Sequence, residues 1–214
     1  PRPFTPSPYR GGGENSSRPY QGRASLGFAL LYLTLLLTFC LSCTRRSFDV
    51  EPGTLTYHLP NDPINFNPVI SEDAYSHAIQ TRLFESLVER DHRTLELKGQ
   101  IAEKYTVGAD KLTYTFYLRK NILFHDLKPL TAADILFSYE MMMSDKVPNA
   151  HKKVYYKDVQ SISAPDAYTI VFRMKKPYAM ALEHLGGFEI IPKHVYSVGN
   201  FMTDERNFRG PVGS

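Results

Sequence analysis

The stretch LKGQIAEKYTVGADKLTYTFYLRKNILFHDLKPLT, residues 97–131, decides how this chain is read. Within it Leu112, Tyr114, Phe116 and Leu118 alternate with Thr113, Thr115 and Tyr117. Strict alternation puts the apolar set on one face, as in a half-buried strand. Seven residues separate Ala102 from Asp110 upstream of that strand, and Phe124-His125-Asp126 follows it. His125 and Asp126 have the chemistry of a catalytic or metal-binding pair. Neighbours on an extended backbone point to opposite faces, however, so the two do not converge on one proton or ion. The sequence gives them a structural part in a turn.

Working outward, Thr54 to Leu59 alternates and reads as a strand, and NDPINFNPV after it is a turn-rich loop. Ser71 followed by Glu72 and Asp73 predicts a helix start, with Ser71 as N-cap. Ala74, Tyr75, Ala78, Ile79, Leu83, Phe84, Leu87 and Val88 extend its apolar face to about residue 89. Downstream, Thr131-Ala132-Ala133-Asp134 resembles a capping box, with Ile135, Leu136, Tyr139 and Met142 as the stripe of the helix it opens. Val159–Ser163 and Tyr168–Met174 predict a hairpin across Ala164-Pro165-Asp166. Ala179 to Leu185 reads as a short helix ended by Gly186-Gly187, and Pro192 opens another. Strands and helices are mixed without a repeat, so the fold class is α/β or α+β.

Of 25 Lys and Arg and 22 Asp and Glu, four arginines and Glu14 precede Cys43, which leaves 21 of each sign after it. The body is neutral, without the concentrated basic face that nucleic-acid binding requires. Residues 1–25 are mostly Pro, Gly, Ser and Arg and read as a disordered extension. Residues 26–43, LGFALLYLTLLLTFCLSC, are uncharged and follow Arg23, the layout of an export signal. Cys40 and Cys43 are the two cysteines, which excludes a disulfide framework in the body. Leu41-Ser42-Cys43 resembles a bacterial lipobox, in which Cys43 would be acylated; an uncleaved membrane anchor is the alternative. Either places the body outside the cytoplasm and against a membrane.

Catalytic signatures do not compete. The chain has neither a GxSxG elbow nor HExxH spacing. His92 and His194 fall beside polar loops and are expected to be solvated. Tyr155 and Tyr156 suit a core and a rim position better than a stacking platform, and one or two of Met141, Met142 and Met143 fill core.

Six segments in order carry a resemblance: the NFNP loop, RLFESLVERD, the 102–126 signature, LTAADILFSYE, KPYAMALEHLGGFEIIPKHVY and PVGS. Together they resemble the bacterial extracellular solute-binding proteins of family 5, the receptors of peptide and nickel ABC importers. The resemblance covers roughly residues 52–214. It implies a periplasmic-binding-protein-like two-lobe fold of the type II, extended peptide-binding class. Residues 52 to about 90 would start lobe one, and much of 91–200 would form its extra subdomain. Gly210 to Ser214 resemble a family stretch that continues further, which reads as an N-terminal fragment. Leu127 departs from the pattern: the family usually has Gly there, so a turn of different type is expected.

The resemblance implies a receptor that captures oligopeptides or dipeptides and delivers them to permease subunits, without a cofactor. Nickel chelates or oligosaccharides as ligands, or an exported hydrolase, are the alternatives. Asn65, Phe66 and Asn67 are the candidate ligand residues. They follow the first predicted strand, and Asn amides both donate to and accept from a peptide backbone. Their alternative is an ordinary Asx-turn loop. Tyr75 could close over the same ligand, its alternative being a core residue of the helix.

Overall fold

The computed structural model describes residues 53, 54 and 56–214, together with Leu31 and Thr34. Residues 1–25 and Cys43 lie outside the described residues, as does the apolar leader apart from Leu31 and Thr34. Among the described residues no helix is long and apolar enough to cross a membrane. The chain divides into two compact units, Pro1–Thr56 and Tyr57–Ser214, and the second carries the architecture below.

Its centre is a four-stranded antiparallel sheet in the order β3-β4-β6-β5, built from β3 (Ala102–Val107), β4 (Thr113–Leu118), β5 (Val159–Asp166) and β6 (Thr169–Met174). The alternation in β4 is realised as expected: Tyr114, Phe116 and Leu118 are buried and the residues between them are half-buried. Register places Tyr114 opposite Phe172 and Phe116 opposite Ile170, so two strands present one continuous apolar face. On that face the Phe116 and Phe172 rings meet edge to face at 5.9 Å. The β5–β6 turn falls at Ala167-Tyr168, later than the sequence suggested. Strand β5 runs on through Pro165, which an edge strand tolerates because its outer N–H row has no partner to lose.

A second, two-stranded sheet pairs β1 (Val88–Arg90) with β2 (Leu97–Gly99). Helix α2 (Ala132–Met143) packs on β5 and β6. At its start the Asp134 carboxylate accepts from the Thr131 backbone N–H at 2.9 Å and the Thr131 hydroxyl at 3.0 Å. The shorter acid therefore serves the capping role. Met142 is buried, with Met141 and Met143 partly so. Short helices α3 (Ala150–Tyr156), α4 (Ala181–Gly186) and α5 (Lys193–Tyr196) follow, α5 opening after Pro192.

Helix α1 covers Ala74–Leu83 and corrects the sequence reading at both ends. Asp73, not Ser71, is its N-cap and accepts from the Ser76 N–H at 2.8 Å. It stops at Leu83 instead of reaching residue 89. Beyond that point the backbone has tertiary partners: Glu85 O accepts from Ile190 N, and Leu87 O from Gln100 N and Ala102 N, each at 3.0 Å. Those bonds replace the helical ladder, and the apolar run Phe84-Leu87-Val88 becomes core in an extended segment. The helix buries Ser76 and Gln80 instead of the apolar stripe. Tyr57 to Leu59 pair with no strand among the described residues, so the predicted strand there is not formed. Tyr57 instead lies exposed beneath the Arg82 guanidinium, 4.7 Å from ring centre to cation.

The loop around Leu127 also differs from expectation. Leu127 keeps a left-handed backbone, φ +64°, and its N–H donates to Phe124 O at 2.8 Å. The turn thus retains the conformation that favours glycine, with leucine in it. His125 and Asp126 diverge as expected. His125 Nδ1 accepts from the Gly213 N–H at 3.1 Å, while the His125 backbone N–H donates to Gly213 O at 2.8 Å. Asp126 pairs with His194 at 2.6 Å, and the Phe124 ring meets the imidazole edge-on at 5.8 Å. His194 is therefore half-buried and partnered, not solvated.

Candidate ligand groove

The loop that the sequence singled out folds on itself. Asn67 is fully buried: its Oδ1 accepts from Val69 N at 3.0 Å, and its Nδ2 donates to Asn207 Oδ1 at 2.9 Å. Asn65 Oδ1 accepts from Asn67 N at 2.6 Å. Helix α1 fixes the same loop through its buried polar pair, with Asn65 N donating to Ser76 Oγ and Gln80 Nε2 donating to Asn65 O. These amides are committed to protein partners, which favours the Asx-loop alternative for Asn65 and Asn67. Phe66 and Tyr75 are left half-exposed at the loop and in the first turn of α1.

What this folded loop does is shape the rim of a groove. One recess, of about 830 Å³, opens between α1, β1 and α4; His77, Thr81, Arg90, His92, Glu183 and Glu189 lie around it, and Phe84, Val88 and Tyr156 are among its apolar lining. A smaller recess of about 210 Å³ adjoins it and shares His77, Tyr156, Gly187 and Glu189. Pro68 and Val69 of the loop, Met142, Lys152, Tyr155 and Phe188 line the rest of it. Nothing local in the sequence marks His77, Lys152 and Glu189, which come from three segments far apart in the chain.

Charges around the groove are arranged in pairs. Glu189 lies 3.7 Å from His77, Glu72 lies 3.0 Å from His151, and Arg90 meets Glu183 at 2.5 Å. Lys152 is half-buried, and its ammonium donates to the backbone carbonyls of Pro68 and Ser71, the latter at 3.2 Å. Burial lowers its pKa from the usual lysine value, with Glu189 and Glu72 acting in the opposite sense. Beside it Tyr156 is buried, its phenol donating to His184 O at 3.0 Å, and burial pushes its pKa up. Tyr155 is the exposed partner of that pair. Its ring stacks on His184 at 4.5 Å, and Tyr178 stacks parallel to His184 at 5.7 Å. The expected core and rim division therefore holds, and the rim ring rests on His184, which Tyr178 also meets.

Such a surface offers donors, acceptors and an aromatic wall to a ligand. Among the described residues no group of three or more His, Cys, Asp or Glu side chains could hold a metal ion.

Residues 96–214 match the family model described as bacterial extracellular solute-binding proteins, family 5, middle region. The chain belongs to this family. Among relatives, the oligopeptide-binding protein AppA of Bacillus subtilis is 28% identical over 197 residues, covering 86% of this chain and 36% of AppA. The AppA structure with a nonapeptide superposes with a TM-score of 0.63 over 72% of this chain and 31% of AppA, at 28% identity. NikZ from Campylobacter jejuni, in complex with Ni(L-His), gives a TM-score of 0.62 at 28% identity over 72% of this chain and 30% of NikZ. The chain thus spans about a third or less of the length of these family 5 proteins. Such neighbours are two-lobe periplasmic binding proteins, and the mixed α/β fold described above corresponds to part of them.

Proposed function

We propose that this chain forms part of the substrate-binding subunit of an ABC importer, and that its groove lines one side of a peptide cleft outside the cytoplasm. The observation that carries this reading is the family 5 match over residues 96–214, the segment that supplies α2, α3, α4 and about half of the groove's lining. A cleft of this size, part apolar and part polar, suits a peptide whose backbone is hydrogen-bonded and whose side chains enter roomy recesses. Phe66 and Tyr75, on the loop and helix beside the groove, are proposed as ligand contacts. Asn65 and Asn67 are assigned the part of holding the loop that carries Phe66.

Titration calorimetry of the gene's whole product against a mixture of di- to nonapeptides, nickel–histidine and oligosaccharides tests the reading. Saturable heat with peptides is expected. Binding of nickel–histidine or sugar without peptide binding would leave the family and overturn the ligand class. Peptide turnover by the purified protein would favour an exported hydrolase.

The apolar leader and Leu41-Ser42-Cys43 support a lipid tether, with Cys43 acylated and residues 1–42 removed. Mass spectrometry of membrane-extracted protein is expected to show a lipidated Cys43 at the N-terminus. A mature chain that retains residues 26–42 would establish an uncleaved anchor.

A further inference from the structure

Three basic side chains line the two recesses: Arg82, Arg90 and Lys152. Arg90 is paired with Glu183. Arg82 is exposed, donates to Ala78 O and lies over the Tyr57 ring. Lys152 alone of the three is half-buried, and no carboxylate comes within 4.0 Å of it among the described residues. An ammonium has three donors, and the carbonyls of Pro68 and Ser71 take two of them. Neutral carbonyls satisfy hydrogen bonds without cancelling charge, so a partly desolvated cation at this depth favours an anion beside it.

The groups packed around it decide whether the protein already supplies that anion. Glu72 is engaged by His151 on α3, and Glu189 of the 187–191 segment is engaged by His77 on α1. Each carboxylate has an imidazole within 4.0 Å and lies more than 4.0 Å from the ammonium, on which both act only through space, so the third donor of Lys152 has no carboxylate in direct contact. The remaining lining of the small recess, Val69, Met142, Tyr155 and Phe188 among it, is apolar or aromatic, and Ser138 there is bonded to Asp134 O and Ile191. About 210 Å³ holds a carboxylate with a few flanking atoms, and the recess opens onto the larger one through His77, Gly187 and Glu189.

We propose that Lys152 is a specificity-determining residue whose ammonium receives a carboxylate of the bound peptide, either the C-terminal group or an acidic side chain. The proposal rests on the peptide reading given above. A charge-assisted hydrogen bond in a partly desolvated site supplies the preference, and Tyr155, stacked on His184, walls the same recess.

Calorimetry of the gene's whole product with Ala-Ala-Ala, Ala-Ala-Ala-amide and Ala-Glu-Ala-amide is the test. The free acid is expected to bind about tenfold tighter than its amide. Recovery of that affinity by Ala-Glu-Ala-amide would identify a side-chain carboxylate as an accepted source, and no recovery would restrict the site to the C-terminus. Lys152→Gln is expected to bind acid and amide alike. Equal binding of all three peptides by the wild type, or an undiminished preference in Lys152→Gln, would overturn the proposal while leaving peptide capture intact. Failure of all three peptides to bind would instead overturn the peptide reading and the proposal with it. Because Lys152 also holds the Pro68 and Ser71 carbonyls, its Nζ resonance in the wild type gives a variant-free check. It is expected to move on saturation with Ala-Ala-Ala and to stay in place with the amide; an unmoved resonance in the acid complex would overturn the proposal.

Discussion

Leu127 sits at φ +64° with its side chain 77% exposed, at the tip of a turn whose hydrogen bonds run from Leu127 N to Phe124 O and from Phe124 N to Lys128 O. A left-handed backbone costs an L-residue roughly 1–2 kcal/mol, and an exposed side chain returns little through packing. Glycine removes that strain but gains freedom in the unfolded chain. Leu127→Gly is therefore expected to stabilise the protein by about 1 kcal/mol net. Thermal unfolding should then rise by roughly 2–4 °C. An unchanged or lower midpoint would show that Leu127 makes contacts that offset the backbone strain. Gly213 presents the opposite case. A Cβ there would lie 1.7 Å from Leu83 O, so the segment that bonds His125 on one side and the end of α1 on the other admits only glycine without moving.

Among the elements, α2 depends most on a single side chain. Asp134 is 5% exposed, accepts from Thr131 N and Oγ1 with one oxygen, and from Lys193 N at 2.9 Å with the other. One carboxylate thus closes the N-terminus of α2 and holds the start of α5. Asp134→Ala leaves the Thr131 and Lys193 N–H groups without that partner in a partly buried setting. The expected loss is about 2–3 kcal/mol, read from urea unfolding. A loss under about 0.5 kcal/mol would place this substitution among ordinary surface changes and refute the joint role of Asp134. Helix α1 makes the complementary point. Its length is set by where the Glu85 and Leu87 carbonyls find N–H donors in other elements, not by where its apolar periodicity ends.

For the whole molecule, the groove is one concave face, open to solvent in the described residues. The family 5 relatives of which this chain covers about a third are two-lobe receptors, which trap ligand as the lobes close. Contacts from both sides and exclusion of water together make the affinity of such a cleft. Residues 44–214 are therefore expected to bind peptides at least tenfold more weakly than the gene's whole product, measured by calorimetry with the same peptides. Comparable affinity in the two would show that this face alone holds the site. Among the described residues β3 and β5 are the edges of the four-stranded sheet, and Pro165 in β5 is the kind of residue that blunts such an edge.

Features that depend on neighbours along the chain are legible in the amino-acid order alone. The alternation of residues 112–118 dictated the buried face of β4, Thr131 and Asp134 marked the start of α2, and six ordered segments carried the family. These are local signals, because pleat, cap and turn are written within a few residues of one another. Packing between distant segments sets where α1 stops, turns Asn65 and Asn67 inward, pairs His194 with Asp126 and holds Leu127 in a glycine-like backbone. It alone gathered His77, Lys152, Tyr155 and Glu189 around two adjoining recesses. The reason is physical: those groups meet through backbone bonds and burial between elements tens of residues apart, and no periodicity in the chain records which distant partner a buried donor will find.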